Sequence, residues 1–152
     1  MSADLGSALC TWAALGIFVA GWIGVSVIMD RQSGWTELAA VYWQRESFRG
    51  KRWWLQGGRM RGQMSTGPMT VGANGLGLYL KILPLFAPRG PALFIPWSDI
   101  TVRTGREWVF WQYYEFRFER VPDVPLRINP WLARRLARAA GRSWPGDSAD
   151  AQ

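Results

Sequence analysis

The pattern of apolar and polar positions divides the chain into two unlike parts. From Leu5 to Met29 no residue carries a charge, and Asp4 and Asp30 bracket the run. As a helix these residues reach about 37 Å at roughly 1.5 Å per residue, enough to cross a hydrocarbon core of about 30 Å with some tilt. Residues 5–29 are therefore predicted to form a transmembrane helix preceded by a short tail, residues 1–4. Next, Trp35, Leu38, Ala39, Tyr42 and Trp43 follow helical spacing, which predicts a short amphipathic helix within a juxtamembrane segment, residues 30–50. Its apolar face suits the headgroup region or the side of a domain, and the pattern does not choose.

From Lys51 the period changes to two, and a β domain is expected over residues 51–141. Gly57-Gly58 reads as a tight hairpin that sets Gln56 opposite Arg59 and Trp54 opposite Arg61. Asn74-Gly75 reads as a type I′ turn that pairs Ala73 with Leu76, Val71 with Leu78 and Met69 with Leu80, all on one face. Three prolines and a glycine make residues 84–92 a loop carrying Leu85, Phe86 and Arg89. Strands are expected at Leu93–Ile95, after a turn at Pro96–Asp99 at Ile100–Arg103, and, beyond a break at Gly105, at Trp108–Trp111 and Tyr113–Glu119. In the last of these Tyr114, Phe116 and Phe118 face one way and Glu115, Arg117 and Glu119 the other. A final strand carries Val124, Leu126 and Ile128. Asn129 as N-cap, Pro130 in the first turn and Gly141 past the last one mark a helix with Leu132, Leu136, Ala139 and Ala140 as its apolar stripe. Residues 142–152 are small, polar and acidic enough to read as a disordered tail.

Charge sets the expected orientation. Neither Lys nor Arg precedes the apolar run, whereas Arg31, Arg45, Arg49, Lys51 and Arg52 follow it, so the positive-inside rule puts the β domain in the cytoplasm. A cleaved signal peptide fits poorly, because the run is long and lacks a positive n-region. The whole chain of 152 residues has a formal charge of +7 from sixteen Arg and two Lys. That balance points to an anionic partner or to a solvated, topology-setting surface. Eleven Trp allow both core packing and the half-wet placement typical of a membrane interface. Gly16, Ala20 and Gly24 share one helix face at the spacing that lets two membrane helices approach closely, which makes a homodimer one expectation and plain smallness another.

Much chemistry is excluded. There is no His, and the single Cys, Cys10, lies inside the apolar run. Disulfides, His and Cys zinc sites and His-dependent nucleophilic triads are out. Carboxylates are few and scattered, and the glycines Gly72, Gly75 and Gly77 surround a turn rather than open a helix, so no dinucleotide site is expected. The chain is expected not to be an enzyme and to need no cofactor or metal. No nucleic-acid motif accompanies the arginines.

The segment Gly77-Leu78-Tyr79-Leu80, followed by Leu93-Phe94-Ile95-Pro96-Trp97-Ser98-Asp99-Ile100, resembles small bacterial membrane-anchored proteins with pleckstrin-homology or GRAM-like domains. The likeness covers roughly residues 70–140. It implies a mainly antiparallel β domain, a PH-like barrel capped by the C-terminal α-helix, on the cytoplasmic side of a bacterial inner membrane. Phosphoinositide-binding members of that superfamily carry basic residues around their first hairpin. Lys51 and Arg52, then Arg59-Met60-Arg61, loosely resemble that pattern, although the short turn and the flanking Trp53 and Trp54 depart from it. Lys51, Arg52, Trp53, Trp54, Arg59 and Arg61 are thus the candidate contacts to anionic lipid headgroups. The other expectation is a protein-interaction or self-association scaffold at the membrane.

Overall fold

The computed structural model describes residues 2–32, 34–61, 64–65, 68–85 and 90–146. Helix α1 spans Ser2–Gln32, and its stretch Leu5–Val25 is long and apolar enough to cross a membrane. Every side chain from Leu5 to Val25 stays exposed, so none of this stretch enters the core of the domain. Its lack of an amphipathic face fits that isolation, since a helix apolar all round needs an apolar medium all round. Both Gly16 and Gly24 look onto open space.

The β domain has two antiparallel sheets. The first contains β1 (Lys51–Gln56), β4 (Met69–Ala73), β5 (Gly77–Ile82) and β6 (Leu93–Pro96), in the order β1-β4-β5-β6. The second contains β2 (Arg59–Met60), β3 (Met64–Ser65), β7 (Ile100–Glu107), β8 (Trp111–Phe118) and β9 (Val121–Ile128), in the order β3-β2-β9-β8-β7. Among the described residues no ladder joins the two sheets, so they face each other without closing into a barrel. Val71, Leu78, Leu80 and Ile95 from one sheet meet Val102, Phe116, Phe118 and Leu126 from the other in a single core.

Two helices cover that core. Helix α2 (Trp35–Tyr42) packs on the domain: Trp35, Leu38 and Tyr42 are buried, while Trp43 at its end remains exposed. Helix α3 (Pro130–Ala140) starts where Asn129 Oδ1 accepts the Leu132 N–H at 2.8 Å, with Pro in the first turn. It buries Leu132, Ala133, Leu136 and Ala140. Gly141 ends it at φ 58°, a left-handed conformation suited to a residue without Cβ. Ordered chain continues beyond that glycine. Trp144 packs edge-on against Trp97 and Phe116, with ring centroids 5.4 and 5.8 Å away, because the core still has an aromatic edge to cover there. The remainder of the expected tail, residues 147–152, lies outside the described residues, as do Phe86 and Arg89.

Four local expectations give way to the tertiary structure. Gly57-Gly58 does not close a hairpin; it carries the chain from one sheet to the other. β1 pairs with β4, while β2 pairs with β3 and β9, placing Arg59 opposite Arg127 and Met60 opposite Leu126. Burial decides this: Met60 gains a place in the core at 1% exposure, whereas Leu55, which a Gly57-Gly58 hairpin would set opposite it, is left 70% exposed. A Cβ on Gly58 would lie 2.8 Å from Met69 Cε and 3.1 Å from Leu126 Cδ1, so the crossing chain runs tight against the core.

At Asn74-Gly75 the hairpin forms with a shifted register: Ala73 faces Leu78, Val71 faces Leu80 and Met69 faces Ile82. Asn74 Oδ1 accepts the N–H groups of Leu76 and Gly77 at 2.9 and 3.0 Å, which moves the tip to Gly75-Leu76 and needs no left-handed residue. The shift is two residues in total, so every apolar side chain keeps its face.

Gly105 does not interrupt β7. The Tyr113 ring lies where its Cβ would be, 2.3 Å from the ring, so the glycine makes room for a cross-strand aromatic. Finally, Trp108–Phe110 forms the tip of the β7–β8 hairpin rather than a strand of its own, since Glu107 pairs directly with Trp111.

Candidate functional site

The six sequence candidates do not form one cluster. Lys51 and Arg52 are exposed on β1, an edge strand. Trp53 packs half-buried against the core, and Trp54 is 63% exposed. This split is the ordinary alternation of a strand, but a bulge follows it: one extra residue on β1 lies between the pairs Trp53–Val71 and Gln56–Met69. The bulge puts Leu55 at φ 55° and turns two adjacent apolar side chains, Trp54 and Leu55, to solvent. Arg59 and Arg61 belong to the second sheet and already have protein partners. Arg59 pairs with Glu107 at 3.2 Å, and Arg61 with Glu37 of α2.

The outer face of the second sheet joins these charges into a ladder. Glu107 reaches Arg59 although β8 and β9 lie between their strands, and it also stands 3.7 Å from Arg127. Arg127 Nε donates to Glu115 Oε2 at 2.9 Å, and Arg117 Nε donates to Glu115 Oε1 at 2.8 Å. The Arg127 guanidinium also stacks 4.4 Å above the Tyr113 ring. Burial pushes the Glu115 carboxyl up, but hydrogen bonds from Arg117 and then Arg127 outweigh it and hold its pKa below the usual glutamate value. The Glu115 hydrogen bond in turn raises the already high pKa of Arg127.

Above one end of this ladder stands the feature that sequence reasoning missed. Trp108, Val109, Phe110 and Trp111 are each between 75 and 89% exposed. Trp108 is held at φ 61°, a conformation that costs a non-glycine residue about 1–2 kcal/mol. Between this tip and the Gly57–Arg59 corner runs a groove of about 770 Å³, walled by Phe110, Tyr113 and Ile128 and carrying Arg59, Arg127 and Glu107. The signal lay in the sequence: four consecutive apolar residues without alternation do not fit a half-buried strand. A second recess, on the α2 side, holds Tyr42, Asp99 and Arg120. Its polar groups satisfy one another, with the Tyr42 hydroxyl donating to Asp99 at 3.2 Å and Arg120 pairing with Asp99 at 3.1 Å.

Among the described residues no three His, Cys, Asp or Glu side chains gather as metal ligands would. The carboxylates that do lie close together, Glu107 and Glu115, are spanned by arginine. The arrangement offers guanidinium donors beside exposed aromatic rings, which suits phosphate oxygens next to an apolar phase. In comparisons with known proteins, no family model, curated protein or solved structure matches this chain.

Proposed function

We propose that this protein is a non-enzymatic module with a PH-like architecture, tethered by α1 to a bacterial inner membrane and docked on its anionic cytoplasmic leaflet. The observation that carries the reading is that α1 exposes its whole apolar stretch while the domain it leads into is basic and keeps its own core. Support for the PH-like part comes from the strand that changes sheets at Gly57-Gly58 and from the single C-terminal helix lying over the core. Basic residues near an anionic leaflet each contribute about 1 kcal/mol, and a tether raises the effective concentration of a weak surface. Lys51 and Arg52 are the contacts among the six candidates with the most freedom to act, since both are exposed and, among the described residues, neither has an ion pair. Arg59 and Arg61 would have to exchange Glu107 and Glu37 for lipid phosphate. Trp53 serves the core, and Trp54 is the ring presented outward.

Co-sedimentation of residues 31–152 with vesicles tests the reading. That fragment retains every residue of the core, which begins at Trp35. Stronger pelleting with anionic than with neutral vesicles, with the difference removed by salt and reduced in Lys51→Ala/Arg52→Ala, is the expected result. A fragment that stays in the supernatant throughout would sink leaflet binding. The search would then turn to protein partners, or to association through the Gly16, Ala20 and Gly24 face.

A further inference from the structure

We infer that the β7–β8 hairpin tip, Trp108-Val109-Phe110-Trp111, is a second membrane attachment that inserts into the interface of the bilayer holding α1. The inference rests on the tether of the preceding section but not on any preference for anionic lipid.

Four observations lead there. The first is composition: the tip has two Trp, one Phe and one Val with no carboxylate among them, and all four are almost fully outside the domain. Trp rings gain from a place where one edge is apolar and the N–H is wet, which the headgroup boundary offers and bulk water does not. The second is the chemistry beneath. Exposed Arg103 and Arg106 flank the hairpin, while Arg59, Arg117 and Arg127 on the face below it are paired with Glu107 and Glu115. Every glycerophospholipid, neutral or anionic overall, carries a phosphate that such guanidinium groups can grip with paired hydrogen bonds. The third is strain. Leu55 and Trp108, two of the three non-glycine residues with positive φ among the described residues, are themselves large, apolar and exposed. The backbone is thus held in an unfavourable conformation in order to present apolar side chains that gain nothing in water. The fourth is attachment. The Trp22 indole N–H donates to the Leu85 carbonyl at 3.4 Å, so the span and the loop between β5 and β6 are in contact and the domain is drawn against its own anchor. The tether and this contact keep the domain beside the bilayer that holds α1.

The test uses the full chain in phosphatidylcholine vesicles. Cys10→Ser removes the native thiol, and single cysteines at Val109, Ala13 or Asp123 each carry an environment-sensitive fluorophore. The label at Val109 is expected to be quenched by acyl-chain nitroxide lipids and shielded from aqueous iodide several-fold more than the label at Asp123, approaching the label at Ala13. Trp108→Ser/Phe110→Ser with the same Val109 label should lose that quenching while keeping an unchanged unfolding midpoint. Quenching at Ala13 with water-like behaviour at Val109 would leave the tether standing and overturn the insertion. Shielding at Val109 without nitroxide quenching, accompanied by crosslinking between labelled copies, would overturn it in favour of a second copy on the tip. Full quenching in the double variant would overturn it too, because the aromatic rings would not be what holds the tip. If residues 31–152 show no preference for anionic vesicles, the leaflet reading falls and this one stands; Val109 quenching and anionic pelleting fail separately.

Discussion

Phe110 and Phe116 lie six residues apart on one hairpin, yet the structure assigns them opposite fates: Phe110 is 89% exposed and Phe116 is completely buried. Phe116→Ala empties a site between the two sheets and removes the ring that meets Trp144 edge-on at 5.8 Å. Truncating a buried Phe costs about 3–5 kcal/mol from lost transfer energy plus the cavity left behind. Domains of this size are stable by only about 5–15 kcal/mol, so the loss is a large fraction of the whole. Phe110→Ala removes a ring that touches little and should change stability by less than about 0.5 kcal/mol. With a urea slope of about 2 kcal/mol per molar, the midpoint for residues 31–152 should fall by about 2 M in Phe116→Ala and by under about 0.3 M in Phe110→Ala. Circular dichroism in a urea titration reads both values, and an unchanged slope confirms that stability, not compactness, has moved. A fall of more than about 1 kcal/mol in Phe110→Ala would refute the reasoning. The tip would then be packed against the domain, and the case for its insertion into a membrane would lose its first observation.

Other substitutions probe the rest of the frame. Asn129→Ala should cost about 1 kcal/mol of thermal or urea stability, because the Leu132 N–H loses its capping oxygen, whereas Asn129→Asp should cost far less. Gly77→Ala puts a Cβ 2.4 Å from the Ile95 carbonyl oxygen, a backbone atom that cannot step aside, and should destabilise by about 3 kcal/mol, while Gly75→Ala meets open space and should be near neutral in the same titration. Glu115 has a lowered folded pKa, so its ion pairs stabilise fully above the ordinary glutamate value, and that contribution is lost as pH falls through the depressed folded value. Glu115→Gln should therefore lower stability at neutral pH and flatten the acid limb of a stability–pH curve; an acid limb identical to wild type would show that another carboxylate governs it.

What could be read in the sequence was what short-range chemistry determines. The uncharged run from Leu5 announced an apolar helix, and α1 contains it. Helix α3 was legible from its cap, its proline and its terminal glycine, all of which act within a turn of the residues they affect. The two faces of Tyr113–Glu119 followed from a period of two, and the apolar face of the Asn74 hairpin survived even a two-residue shift in register. None of these depends on which distant segment comes alongside.

Tertiary structure decided the rest, for one physical reason: strand partners are chosen by the surface they bury together, and that surface is assembled from residues far apart in sequence. Gly57-Gly58 is locally as good a hairpin as any, but Met60 buries itself against Leu126 only if β2 crosses to the other sheet. The same crossing divides Lys51 and Arg52 from Arg59 and Arg61 and gives the latter pair their carboxylates, so a cluster in sequence became two separate surfaces. Helix α2 could have served a membrane or a core by its pattern alone. Trp35 and Leu38 are buried because the gap between β6 and β9 is shaped to take them, a fact that exists only once both sheets are in place.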